Sequence, residues 1–347
     1  MQHFGQLSKS VVSFIITFLI AAVICALPIY LSGFNPFATY EQFIIGGFGS
    51  LNNLISTLIK STPIIFCSLA VVVAFRCGFW NIGAEGQLNI GALFAVVAGL
   101  YFKWLPIYIH LPLVFFCSSC GGAIWGYIAA HLKVRYNANE MIVTLLLNFI
   151  AFQLVSYMVR FPLRPESSFN PVTANIPESA RLPLLIPNTS LHAGILIATV
   201  VTILVWIILK FTVIGYRIKA VGANASSSSF AGISVNKITK IGMIISGGLA
   251  GLAGMTEVSG VHYLLSENIS FNYGYFGIPA ALIGKLNPFG AFVASIFIGS
   301  LLNGGRYAQF MIGVPYTVVY LMVAVFILSI LLEFFVESRI LSKIRSS

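Results

Sequence analysis

Apolar runs recur along the chain between residues 11 and 335, separated by short polar stretches. A hydrocarbon core about 30 Å thick takes roughly 20 helical residues to cross. Read at that length, the pattern predicts ten passages: residues 11–31, 62–75, 88–102, 111–132, 141–159, 191–211, 238–260, 275–283, 289–302 and 314–335. The eighth is too short to cross alone and reads as a half-helix ahead of Lys285, Asn287 and Pro288. A loop with Asn35, Pro36 and Glu41, then a short interfacial helix near residues 50–60, is expected between the first two. Residues 160–190 form the longest polar loop, whose six prolines stiffen it and forbid a long regular helix. Residues 215–237 form a second polar segment, with about two turns of helix predicted over 223–231 and Asn224 as a plausible cap. In the seventh passage Gly247, Gly251 and Gly254 lie near one face, and small residues so spaced let helices approach closely. The first run, behind Lys9, resembles a signal sequence, but at span length it reads as a retained helix. The fold class is therefore all-α, a polytopic transmembrane domain over residues 1–347.

One stretch breaks the pattern. Residues 76–91, RCGFWNIGAEGQLNIG, hold four glycines and the polar side chains Asn81, Glu85, Gln87 and Asn89 between two apolar runs. Glycines at this density weaken a continuous helix, and polar groups in hydrocarbon cost several kcal/mol each without partners. Non-helical backbone survives at membrane depth only where protein or a water-filled cavity surrounds it. Such a segment points to a transport path, or to a turn followed by an amphipathic helix start.

Composition removes other classes. Charged residues are 8% of the 347, against roughly 25% in soluble domains, and mean hydropathy is +0.96. All nine acids are Glu, which excludes aspartyl intramembrane proteases and aspartyl-phosphate pumps. The net charge of +10 does not imply nucleic acid, because the basic residues sit singly between spans. With a cytoplasmic N-terminus, thirteen of the nineteen Lys and Arg fall inside, as the positive-inside rule requires. Both termini and residues 215–237 are then cytoplasmic, and residues 160–190 external. The five cysteines read as buried free thiols: Cys117 and Cys120 make a CxxC, but no second pair completes a metal site.

No ATP-binding loop is present. Lys285 follows Gly284, but Leu286 comes next and Pro279 stands where the first glycine belongs. Ser259 and His262 do not make an intramembrane protease, since Glu257 occupies the first position of the GxSG pattern. For the polar residues the sequence leaves two roles open. Glu85 either braces the broken segment by accepting from backbone amides at a helix start or meets solute, while Asn81, Gln87 and Asn89 either contact a sugar or base edge or cross-link helices. Asn148, mid-span, faces the path or a partner helix, and Glu140 complements the dipole of the fifth helix. Glu257 is an intramembrane ionisable group and so a functional candidate. Phe271, Tyr273, Tyr275 and Phe276 form an aromatic cluster expected at the outer entrance. An ion-coupled secondary transporter would rely on Glu85 and Glu257.

Four blocks carry a family resemblance: GFWNIGAEGQLNIGALFA, then NEMIVTLLLNFIA, then GYRIKAVGAN…AGISV, then GYFGIPAALIGKLNPFGA. In order and spacing they resemble permease subunits of bacterial ABC importers for nucleosides and simple sugars, relatives of the ribose-type and branched-chain amino-acid permeases. The resemblance covers about residues 10–340 and is nearest to the longer of two unlike permeases in nucleoside systems. It implies a type II importer-like bundle in the bacterial cytoplasmic membrane, with no catalytic or metal site and no cofactor of its own. ATP and Mg would be bound by a partner ABC ATPase. A non-identical second permease and an extracytoplasmic substrate-binding lipoprotein would complete the complex. Matched to the family's motifs, the pathway signature falls on Asn81, Gly83, Glu85, Gly86 and Gln87. ATPase coupling falls on Arg217, Ala220, Gly222, Asn224, Ala231 and Gly232. Ser226 to Ser229 replace the usual Ala-Ala-type residues and lower helix propensity, which leaves the extent of the coupling helix open.

Overall fold

The computed structural model describes residues 19–166 and 168–346, so the start of the first predicted passage, residues 11–18, lies outside the described residues. Thirteen helices follow in order: α1 (Leu19–Leu31), α2 (Pro36–Phe48), α3 (Leu51–Arg76), α4 (Ala84–Tyr101), α5 (Ile107–Tyr136), α6 (Glu140–Arg160), α7 (Gly194–Phe211), α8 (Val213–Ala223), α9 (Ala225–Phe230), α10 (Val235–Glu257), α11 (Tyr273–Ile283), α12 (Pro288–Ile312) and α13 (Tyr316–Ser346). A 3-10 turn, Glu178–Ala180, interrupts the proline-rich loop, and a π turn, Val258–His262, extends α10.

Each predicted passage coincides with a helix within the described residues, but fewer are full spans than the nine expected beside the one half-helix. Among the described residues α3, α5, α6, α7, α12 and α10 with its π turn are long and apolar enough to cross a membrane. The pair α1 and α2, bent by 116°, makes a seventh if taken as one span. Helix α11 and the stretch Thr317–Leu332 are apolar but shorter, and Glu85, Gln87 and Asn89 fill the first turns of α4.

Two expectations fail at the start of the chain. Asn35 and Pro36 do not mark a loop: Asn35 Oδ1 accepts from Phe37 N at 2.9 Å, Pro36 takes the first helical position, and α2 follows. Proline is tolerated there because that N–H has no helical partner. The separate helix near residues 50–60 is instead the first half of the 26-residue α3, which runs through Pro63. The Thr62 hydroxyl donates back to Leu58 O at 2.9 Å beside that proline.

The chain divides into two compact units, residues 1–57 with 297–347, and residues 58–296. In the first, Asn303 Nδ2 donates to Gly46 O (2.8 Å), Asn53 O (3.0 Å) and Thr57 Oγ1 (3.2 Å). This amide takes backbone carbonyls from α2 and α3 that water would otherwise hydrate.

The second unit is built on three helices in backbone contact. A Cβ on Gly122 of α5 would strike the Gly247 carbonyl of α10, and one on Gly91 of α4 would strike Gly251. One on Gly254 would meet the Leu88 carbonyl and lie 2.5 Å from Ala92 N. The Ser118 hydroxyl donates to Gly251 O at 2.7 Å across the same seam. Lipid tails are as apolar as leucine, so close packing and interhelical hydrogen bonds must hold such helices together. Around the seam lies a core of Ala92, Val96, Val155, Met255 and Val258. The proline-rich loop joins it as a folded strap: Ile176, Ala180 and Leu182 are buried there. Its backbone pairs with the segment after α10 through Leu182 N to Ser259 O (2.8 Å), Ile176 N to Tyr263 O (2.8 Å) and Thr173 N to Leu265 O (3.0 Å). The cysteines make no disulfide; Cys25, Cys67 and Cys77 are buried, whereas Cys117 and Cys120 are only half-buried, short of the burial expected.

Gly251→Val therefore destabilises the protein by about 3 kcal/mol or more, the upper end of overpacking costs. Ile124→Val, at an exposed position on α5, changes stability by under about 1 kcal/mol. Thermal or denaturant unfolding of the detergent-solubilised chain measures both.

Candidate functional site

Helix α4 begins inside the second unit, and its first turn has orphan N–H groups. Gly83, its N-cap, supplies no side-chain bond. Asn148 of α6 supplies one instead: its Oδ1 accepts from Gly86 N at 2.8 Å, and its Nδ2 donates to Ile82 O (3.0 Å) and the Tyr275 hydroxyl (3.2 Å). The Thr144 hydroxyl, one turn earlier on α6, accepts from Ile82 N at 3.3 Å. Gly86 leaves the room this needs, since a Cβ there would lie 2.7 Å from Asn148 Oδ1.

Asn81 and Gln87 form a reciprocal pair: Asn81 Nδ2 donates to Gln87 Oε1 (3.0 Å), and Gln87 Nε2 donates to Asn81 Oδ1 (3.2 Å). Asn81 Oδ1 also accepts from Gly83 N (2.9 Å), and Asn81 Nδ2 donates to the Ser246 hydroxyl (2.9 Å), which donates to Ala70 O (2.7 Å). The side chains of Asn81, Gln87 and Ser246 are all buried. Residues 81–87 are thus tied to α3, α6 and α10 through the side chains of Asn81, Gln87, Thr144, Asn148 and Ser246.

Glu85, only 1% exposed, acts on another helix. Its Oε2 accepts from Gly274 N at 2.7 Å in the first turn of α11, whose N-cap Asn272 makes no side-chain cap bond. The expectation that Glu85 serves amides at a helix start is met on α11 rather than on its own α4. A carboxylate there also faces the positive end of the helix dipole.

Asn89 keeps capacity. Asn89 Nδ2 donates to Glu85 O at 2.8 Å, while its buried Oδ1 has no hydrogen-bond partner among the described residues. Glu257, buried at the end of α10, lies 3.4 Å from His262 Nε2, and the histidine is about a third exposed. Of the four aromatic residues expected at the entrance, Phe271 and Tyr273 are in ring contact. Phe271 is exposed and lies against His262 and the buried Tyr273, with ring centroids 6.0 and 6.2 Å away. Tyr275 turns to Asn148 and Phe276 is half-buried. Glu140 opens the first turn of α6 as expected, while the side-chain cap comes from Asn139, and Glu140 also pairs with Lys133 at 2.8 Å. Glu267, on the segment between the π turn and α11, is held below the usual carboxylate range by the Arg160 guanidinium beside it.

The sequence reading missed Thr144, Ser246 and His262 as members of these networks. Ser246 left a signal, as the polar residue heading the glycine face SGGLAGLAG.

The second polar segment folds into α8 and α9, and both ends of α9 are capped. Asn224 Oδ1 accepts from Ser227 N at 2.9 Å. At the other end Gly232, at φ +77°, donates to Ser229 O (3.0 Å) and Ile233 N donates to Ser228 O (2.9 Å), a Schellman closure that favours glycine. The predicted helix over 223–231 is therefore six residues, Ala225–Phe230, with a separate eleven-residue α8 before it. Arg217, Ser226 and Ala231 are exposed and Ala220 is half-buried. A Cβ on Gly222 would run into the Arg76 carbonyl and lie 2.9 Å from Gly78 N, so α8 touches the turn that leads to Asn81. A cavity of about 550 Å³ lies beside this contact, lined by Gly78, Lys133, Asn137, Glu140, Gly222 and Asn224 among others.

Residues 53–331 match the family model for the permease component of branched-chain amino acid transport systems. The chain belongs to that permease family. A guanosine ABC transporter permease of Bacillus subtilis, NupP, is 36% identical over 87% of this chain and 88% of its own length. A nucleoside ABC transporter permease of Lactococcus lactis, NupB, is 30% identical over 88% and 86%. A glucose ABC transporter permease of Haloferax volcanii, TsgB13, is 29% identical over 94% and 88%. The chain is thus a multi-pass membrane permease of an ABC importer and not itself an ATPase, which displaces the ion-coupled alternative.

Because Glu85 acts through an accepted hydrogen bond, Glu85→Gln, which retains an acceptor oxygen, keeps most transport and stability. Glu85→Ala leaves Gly274 N–H buried and unpaired, costing about 1–3 kcal/mol. Unfolding and uptake assays on both variants test this, and a Gln variant as inactive as the Ala variant would mean that the charge itself is used.

Proposed function

We propose that this permease translocates nucleosides inward as the longer of two unlike permease subunits, driven by a separate ABC ATPase that binds ATP and Mg. An extracytoplasmic lipoprotein delivers the solute. The chain folds as a type II importer bundle with ten full or partial passages and both termini cytoplasmic. The substrate class is supported by likeness, over nearly the whole chain, to permeases named for guanosine and for nucleosides.

One observation carries the coupling reading. Phe230, at the end of the doubly capped α9, is 91% exposed, and a large aromatic so presented suits insertion into a partner. Behind it α8 rests on the 76–78 turn through Gly222, so displacement of α8 and α9 reaches Asn81 and the start of α4 through backbone contact. Arg217, Ala220, Gly222, Asn224, Ser226, Ala231 and Gly232 belong to this lever. Asn81, Gly83, Glu85, Gly86, Gln87 and Asn148 brace the path. Asn89, with an unpartnered side-chain oxygen among the described residues, and the buried Glu257 meet solute or water, and Phe271 stands at the entrance with Tyr273.

Gentle extraction of the tagged chain followed by mass spectrometry recovers an ABC ATPase and a second permease. Phe230→Ala lowers ATPase recovery about thirtyfold, as expected for an aromatic anchor worth about 2 kcal/mol. A homo-oligomer without ATPase, or undiminished recovery from the variant, contradicts the coupling reading.

A further inference from the structure

Beyond the path and the lever, the second unit holds a small cavity of about 160 Å³, reached by four helices and lined by Arg76, Trp206, Lys210, Lys219 and the residues 286–288 among others. Arg76 closes α3, Lys210 lies in the last turn of α7, Lys219 projects from α8, and Pro288 opens α12. Three cations therefore converge, and no carboxylate lines the cavity. Among the described residues none of the three forms a salt bridge with an acid. Arg76 is held in place, its Nε donating to Leu286 O at 3.0 Å. Complementing the dipoles at the ends of α3 and α7 accounts for Arg76 and Lys210 singly. It does not account for Lys219, which is not at its helix end, or for the convergence of three cations on one cavity beside the start of α12, where Asn287 Oδ1 already accepts from Phe289 N at 3.0 Å.

The surroundings say which anion. Trp206 packs on Phe211 and Phe289 at centroid distances of 5.3 and 5.6 Å. Lys210 Nζ lies 4.8 Å over the Trp206 ring. Phe211 and Phe289 are 65% and 44% exposed. Tryptophan and aromatic neighbours beside lysine are the signature of the membrane–water interface. Basic pockets between helices at that depth receive lipid phosphates. We infer that this cavity is a site for the phosphate of an anionic phospholipid, seated among Arg76, Lys210 and Lys219 with its acyl chains along Phe211 and Phe289. With the orientation proposed above the site faces the inner leaflet, and Lys219 places it on the α8 lever.

The test uses the full chain alone, purified in detergent, so its outcome is independent of whether any ATPase binds. Native mass spectrometry with added phosphatidylglycerol shows one tightly retained lipid, at least tenfold preferred over phosphatidylcholine. Lys210→Gln with Lys219→Gln weakens that retention about thirtyfold. Lys210→Arg with Lys219→Arg retains it, which excludes loss of fold, and Lys103→Gln at an exposed position elsewhere leaves it unchanged. Equal retention of the two lipids, or no effect of the Gln pair, overturns the inference. Displacement of the lipid by millimolar inorganic phosphate assigns the cavity to a free anion and overturns the lipid reading.

Discussion

A helix that begins inside a bundle has N–H groups that water cannot reach, and each one left unpaired costs about as much as a lost hydrogen bond. In this permease two helices start in that way and neither is capped by its own N-cap side chain. Asn148 accepts from the first turn of α4, and Glu85, in that same turn, accepts from the first turn of α11. The order α6 to α4 to α11 is thus fixed by side chains reaching across helices. The polar stretch lies where it does because its neighbours need its acceptors and it needs theirs. Removing one member strands a donor on a different helix, so the network acts as a unit.

Such reach requires backbones closer than leucine or valine allows. The glycines shared by α4, α5 and α10 bring main chains into contact, and the Ser118 and Ser246 hydroxyls donate to carbonyls across the resulting interfaces. Glycine is unfavourable inside a helix by about 1 kcal/mol relative to alanine; here it permits contacts that a side chain would block. The same device serves α8, which Gly222 lets lie on the 76–78 turn. A stiff braced segment joined to a movable surface helix by direct backbone contact suits a permease that performs no chemistry and is moved by a partner.

Much of this was legible in the chain. Span-length apolar runs located the helices, the glycine face of α10 announced close packing, and Asn224 marked the start of α9. What could not be read was partnership. Asn35 and Pro36 look like a loop because turn residues and helix starts share a vocabulary, and only the hydrogen bond to Phe37 N decides between them. The second passage is expected to begin at residue 62, yet α3 starts at Leu51 and runs through Pro63. Glu85 was readable as an acceptor for a helix start, but its helix lies almost 190 residues away in sequence. Asn148 looked equally suited to solute and to bracing; the geometry spends both ends of its amide on the chain. The hydrogen bond between Tyr275 and Asn148 could not be read from the run of aromatic residues near 271–276.

The central claim is that this chain is a braced path moved from outside by ATP hydrolysis. The most direct measurement is nucleoside uptake by proteoliposomes containing the permease with its co-purified components. Uptake of a labelled purine nucleoside should require ATP and Mg and binding protein, and should be unchanged by a protonophore. Uptake that proceeds without ATP and collapses with the protonophore would contradict the account and return Glu85 and Glu257 to the role of ion-coupling groups.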